Sequence, residues 1–259
     1  MPVIDGMGYS ECTPAKQADF RYLVSYHLGV VNCMIAKAQR EGRTFPPPEY
    51  WYFDITAGKG THPETGDPGS PLIFAQEAWE KQAPVRMWCI EEVAENCAEL
   101  AAVLAEYPVE QIVCGDHSKE LMQMIPQADR PRLGLLYCDP SGNIPPFDLL
   151  AEFASNRPTS RIDLLIYLSA TTIKRCCGAF PEKGFKRLPE YLAAIPKDDW
   201  LLRIPQASAQ WTFALGTKWS KFPPFPQKGF LKLGTPEGDA LMDRLAYPES
   251  YEPPTLPDL

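Results

Sequence analysis

The feature that most limits how this chain can fold is a regular alternation. Short apolar runs recur at about 50–55, 86–91, 111–114, 133–138 and 163–168, and stretches of helical character fill the gaps at about 70–82, 94–106, 118–125 and 146–155. Strands that are apolar along their whole length must be covered on both faces, and strands separated by one helix each pair in parallel through crossover connections. The pattern therefore predicts an α/β domain, a mostly parallel sheet with helices on both faces. A chain of 259 residues, 45% of them apolar, has room for one such domain with small appendages.

The flanks read differently. Thr13-Pro14 opens a long amphipathic helix, with Phe20, Leu23, Val24, His27, Val30, Val31 and Met34 at helical spacing until Gly42 stops the run. The Phe-Pro-Pro-Pro stretch at 45–48 is a stiff linker. After Pro205 two β-rich runs, at 210–216 and 229–233, read as an antiparallel hairpin at the sheet edge, and prolines at 248, 253, 254 and 257 make the end irregular. The expected division is a helical segment at 1–44, the domain at 45–235 and a Pro-rich tail at 236–259.

Charge is distributed unevenly. The net charge is −8, yet residues 157–232 carry 13 Lys and Arg against 5 Asp and Glu, which leaves −16 for the remainder. An acidic body with a basic later segment suits a protein that meets phosphates on one face. The eight cysteines include no CxxC pair, and Cys89, Cys114 and Cys138 lie within apolar runs that accommodate buried thiols. No metal site is expected. No charged start with an apolar run and no membrane-length apolar stretch is seen, so a cytoplasmic protein without a membrane partner is expected.

The chemistry sits where the strands end. Asp54-Ile-Thr56-Ala57-Gly58-Lys-Gly60 follows the first strand, and its glycines let the backbone pass close to a ligand. A dinucleotide-binding turn would place a third glycine at position 63, where this chain has proline. The second strand ends in Glu91-Glu92, the third in Gly115-Asp116-His117 and the fourth in Asp139-Pro140-Ser141-Gly142. Carboxylates at neighbouring strand tips suit the ribose hydroxyls and adenine amino group of an adenosine without phosphates. His62 and His117 adjoin these motifs as ordinary loop residues or as participants.

Taken in order, the DxTAGKG loop, the GSPL helix start, the IEE strand end, the GD turn and the DPSG strand end resemble the class I S-adenosylmethionine-dependent methyltransferases. The likeness is nearest to the three-Cys-motif partner family and to bacterial and phage amino-methyltransferases, and it covers roughly residues 50–170. It implies a Rossmann-like fold with a seven-stranded sheet, and S-adenosyl-L-methionine held by Asp54, Thr56, Ala57, Gly58, Gly60, Glu91, Asp116 and His117. In such amino-methyltransferases a [DNS]PP[YFW] motif holds the target amine and stacks an aromatic ring on the base. Asp139 and Pro140 match its start; Ser141 and Gly142 replace its second proline and its ring. The ring would come from Trp211, Trp219 or Phe147, or be absent. Lys174, Arg175 and Lys218, with Trp211 and Trp219, are the candidate substrate contacts. Cys138 precedes Asp139, which argues against cytosine C5 chemistry, where a cysteine follows the proline. The resemblance implies adenine-N6 methylation of DNA with low sequence specificity. RNA methylation, a catalytically weak partner protein and a small-molecule methyltransferase are the alternatives. Nucleic acid is the expected partner, with a homodimer possible.

Overall fold

Side chains at successive positions of a strand go to opposite faces, and in the first strand, β1 (Tyr50–Asp54), both sets are fully buried. Tyr50 and Tyr52 enter one core with Met87, Leu135, Phe213 and the helices α1 (Thr13–Arg40) and α2 (Ser70–Glu80). Trp51 and Phe53 enter the other with Trp88, Leu136, Leu164 and α5 (Phe147–Ser155). The structure, a computed structural model, describes residues 13–140, 143–169, 172, 186–204, 211–219 and 229–246. The remaining elements are β2 (Val85–Glu91), α3 (Ala94–Val103), β3 (Val109–Cys114), α4 (His117–Glu120), β4 (Leu133–Cys138), β5 (Ile162–Leu168), α6 (Leu188–Ala193), β6 (Asp199–Arg203), β7 (Thr212–Thr217), β8 (Phe230–Lys232) and α7 (Pro236–Ala246).

All eight strands form one sheet in the order β3-β2-β1-β4-β5-β7-β6-β8. β1 lies between β2 and β4, with Tyr50 in register with both Val85 and Leu133, and every pairing from β3 to β5 is parallel. Strand order reverses beside β1, and a parallel sheet opens a crevice at such a switch point, outside the carboxyl ends of its strands.

α1 braces this sheet from one side. Its buried positions Phe20, Leu23, Val24, His27, Leu28, Val31 and Ile35 repeat at three and four residues, so one stripe faces the strands. Buried polar contacts help to fix it. Arg203 Nη2 of β6 donates to Asp19 Oδ1 at 2.6 Å; His27 Nε2 is 3.0 Å from Asp163 Oδ2 of β5; the Tyr50 hydroxyl is 2.7 Å from His27 Nδ1.

The sheet has eight strands where seven were expected, and the antiparallel part differs in its pairing. Residues 210–216 and 229–233 are not hairpin partners: β6 lies between them, antiparallel to β7 on one side and to β8 on the other. β6 has only Trp200, Leu201 and Leu202 as apolar residues, too short a run to stand out. Residues 236–246, assigned from sequence to the tail, include a helix whose Leu241 and Met242 join the core. The helix expected at 118–125 is the single turn α4. Cys114 is exposed, because β3 is the edge strand and its tip is covered on one side only. Among the described residues no helix is long and apolar enough to cross a membrane.

Candidate active site

The tips of β1, β2, β3 and β4 surround one cavity of about 390 Å³, closed on its far side by the first turns of α1. Asp54, at the end of β1, is the floor beneath the glycine turn and does not line the cavity. It has no exposed surface; its Oδ1 accepts from the Thr56 amide at 3.1 Å and its Oδ2 from the Tyr52 hydroxyl at 3.0 Å. Burial pushes its carboxyl up to about 7, against the opposing hydrogen bonds from Ser70, Thr56 and Tyr52. Ser70 therefore serves the turn as well as the start of α2, whose N-cap is Gly69.

That shift fixes a pH dependence. Between about pH 4 and pH 7 the folded chain keeps a proton that the unfolded chain releases. The contribution of Asp54 is therefore fully present below about pH 4 and lost as pH rises to about 7, on the order of 4 kcal/mol across the window. Asp54→Asn should flatten this slope. Urea unfolding of both proteins at about pH 4.5 and 7.5 measures it, and parallel slopes would contradict it.

The turn itself depends on left-handed backbone at Gly58 (φ 62°) and Gly60 (φ 83°). A Cβ on Gly60 would also stand 3.0 Å from Leu100 Cδ1 and 3.2 Å from Val103 Cγ1 of α3. Gly69 closes the excursion by donating to the Gly60 carbonyl at 2.7 Å. Glu91 then ties three segments together: Oε2 accepts from the Gly58 amide at 2.9 Å, and Oε1 accepts from the Val93 amide and Asn96 Nδ2, each at 2.9 Å. Oε2, which accepts one bond, keeps acceptor capacity, and Glu91 lines the cavity. At the other side the Asp139 amide donates to Thr56 Oγ1 at 2.8 Å, so the β4 tip is held against the glycine turn. Asp139 Oδ2 accepts from Lys16 Nζ at 2.7 Å and from the Tyr137 hydroxyl at 3.3 Å.

Of the residues singled out from sequence, Thr56, Ala57, Gly58, Gly60, Glu91, His117, Asp139 and Pro140 line this cavity. Asp116 does not; it caps α4, accepting from the Ser118 amide at 2.8 Å, which holds its carboxyl below the usual range. Its neighbours Gly115 and His117 occupy the wall instead. The Pro140 carbonyl already accepts from the Asn143 amide at 2.8 Å and keeps its second lone pair. Trp211, Lys218 and Trp219 lie away from the cavity lining. Trp211 is buried against Tyr167 and Phe213, and Trp219 packs on the same core. Phe147 stacks on Tyr191 in the opposite core. Ser141, Gly142, Lys174 and Arg175 lie outside the described residues.

The cavity also takes residues that the sequence did not single out for it: Lys16, Gln17 and Phe20 from α1, Asn96 from α3, and Tyr137 and Asn143 around the β4 tip. Phe20 and Tyr137 are the rings at the Asp139 end, 4.3 Å apart. A strand-tip rule could have found Tyr137, two residues before Asp139 and 2% exposed; no local signal joins Lys16 to a carboxylate 123 residues away. Among the described residues no three His, Cys, Asp or Glu side chains are placed to hold a metal ion.

The fold is a Rossmann-like α/β fold, with parallel β3 to β5, an antiparallel β7 between β5 and β6, and helices on both faces. No family model matches the chain, and no curated protein does. Among solved structures it is similar to a fibrillarin pre-rRNA processing protein of Methanococcus jannaschii, at 14% identity and a TM-score of 0.44 over 66% of each chain. It is also similar to the human methyltransferase 10 domain containing protein, at 11% identity and a TM-score of 0.41, over 76% of this chain and 83% of that one. A third is the CurJ carbon methyltransferase, at 10% identity and a TM-score of 0.44, of which this chain spans 54% while 74% of this chain is covered. At such values the likeness is one of general chain course, and the site stands on its own geometry.

Proposed function

We propose that this chain is an S-adenosylmethionine-dependent methyltransferase acting on an exocyclic amino group of a nucleic-acid base, adenine N6 of DNA foremost, with low sequence specificity. One observation carries the reading: the glycine turn, Glu91 and Asp139 converge on a single cavity at the switch point of the sheet. The donor set fits the cofactor. Gly58 and Gly60 offer bare backbone, Glu91 and Glu92 offer carboxylates for ribose hydroxyls, and the cavity volume of about 390 Å³ is in the range of small-molecule sites. Lys59, the cation of the turn, is paired to Glu99 at 3.3 Å, as suits a ligand without phosphates.

When bound, S-adenosylmethionine supplies an electrophilic methyl group. The chain's own part is to hold and activate the amine. A neutral exocyclic amine is a poor nucleophile, since its lone pair is delocalised into the ring. Asp139 and the free lone pair of the Pro140 carbonyl would each accept one of its N–H groups and so favour the pyramidal, reactive geometry. Phe20 and Tyr137 line the same end and are the rings that a base extruded from its stack would meet.

A second reading, methylation of a small-molecule amine, draws on the basic segment. Arg203 is bound to Asp19, Lys232 to Asp199 at 2.5 Å, and Lys197 donates to the Ile162 carbonyl, so these three cations serve the fold. The separating experiment incubates the protein and methyl-labelled S-adenosylmethionine with DNA and RNA strands of varied sequence and with a nucleic-acid-free metabolite extract. Label on adenine N6 of DNA across unrelated sequences is the expected result. Label confined to RNA, to the extract or to one strict sequence would overturn the corresponding part.

A further inference from the structure

The carboxylate assigned to the target amine already carries a cation. Lys16, in the first turn of α1, donates to Asp139 Oδ2 at 2.7 Å, and its Nζ stands 4.8 Å from the centroid of the Tyr167 ring. The two side chains are 19% and 16% exposed and both line the cavity, so the pair is largely shielded but in reach of a ligand. The Tyr137 hydroxyl donates to the same oxygen at 3.3 Å. Among the described residues no hydrogen bond reaches Asp139 Oδ1. A ligand therefore meets one acceptor oxygen beside a fixed ammonium group.

We propose that Lys16 is a specificity-determining residue of the acceptor end, which makes it take uncharged heteroaryl amines and reject alkylammonium ions. The proposal rests on the reading of Asp139 as holder of the target amine. A lone carboxylate among the rings of Phe20, Tyr137 and Tyr167 would be a general cation site, attracting lysine-like side chains and polyamines by charge and by the ring faces. Paired with Lys16 it is neutral as a unit. An ammonium ion brought to Oδ1 would stand within a few ångströms of the Lys16 charge, where poor solvation makes like-charge repulsion strong. A base amine donates its N–H to the same oxygen and brings no charge. A lysine that only tied α1 to β4 would not sort ligands by charge.

The test uses two short single strands that differ at one nucleotide: one carries adenine, the other 6-(aminomethyl)purine, whose alkylamine is protonated at neutral pH. Equilibrium binding of both is measured for the full chain, for Lys16→Met and for Lys16→Arg, with thermal unfolding to show that each variant is folded. The wild type should favour the adenine strand, Lys16→Met should move the ratio of the two affinities towards the ammonium strand by about tenfold or more, and Lys16→Arg should restore it. An unchanged ratio in Lys16→Met, or no restoration by Lys16→Arg, overturns the proposal and leaves Asp139's assignment standing. Binding of both strands that is indifferent to Asp139→Ala, measured alongside, removes that assignment, and the proposal with it.

Discussion

The Asp139→Ala protein should bind S-adenosylhomocysteine within about twofold of the wild type and transfer methyl groups about 10²–10⁴-fold more slowly. The cofactor side of the cavity is held by contacts that do not involve the Asp139 side chain: Gly58 to Glu91, Val93 and Asn96 to Glu91, and Gly69 to Gly60. Even the link between the β1 and β4 tips uses the Asp139 amide, which alanine keeps. What alanine removes is the acceptor proposed to orient the amine, together with the partner of Lys16. An unpaired, largely shielded ammonium group would itself lower stability, so Asp139→Asn, which keeps shape and an acceptor oxygen, belongs beside it. Single-turnover label transfer with a parallel binding titration separates the effects. Transfer in Asp139→Ala within a few-fold of the wild type would remove Asp139 from the chemistry.

The largest structural effect is expected from Gly134→Ala. Gly134 pairs with Trp51 where β4 meets β1, and a Cβ there would stand 1.8 Å from the Trp51 carbonyl oxygen and 2.7 Å from its carbon. Backbone cannot swing aside as a flexible side chain can. The two central strands would have to separate, breaking the ladder that brings the glycine turn and Asp139 to one cavity. A loss of more than about 4 kcal/mol is expected, against a typical total of about 5–15, so the variant should be largely insoluble. Gly29→Ala is the matched control: no atom lies within 4 Å of its added Cβ, and in the interior of α1 the change should be neutral or stabilise by up to about 1 kcal/mol. Similar denaturation midpoints for the two variants would contradict this reading of the β1–β4 contact.

What could be read from the sequence was local. The run at 133–138 is the observed β4, because an unbroken apolar stretch ending in Asp-Pro leaves little choice of boundary. The glycine turn and the acidic strand ends were legible for the same reason, since each directly follows an apolar run. Long-range contacts were not legible. Asp19 and Lys16 find their partners 184 and 123 residues away, so α1 read as an appendage when it is a wall of the site. Composition also misdirects where a polar residue has a structural task. Asp54 supports the turn from below, Asp116 caps a helix, and Arg203 and Lys232 spend their charge on Asp19 and Asp199. Trp211 was read as a substrate contact for a related reason. An indole near a cleft and an indole in a core look alike in sequence, and here Phe213 and Tyr167 enclose it.

We infer that the β1 to β4 tips form a pocket for an adenosine-bearing sulfonium cofactor. The most direct measurement is a calorimetric titration of the folded chain with S-adenosylhomocysteine at neutral pH. Saturable binding of one molecule per chain, weakened at least tenfold by Gly60→Val, is the predicted result. No heat of binding from a chain with an intact unfolding transition, or binding indifferent to Gly60→Val, would contradict it.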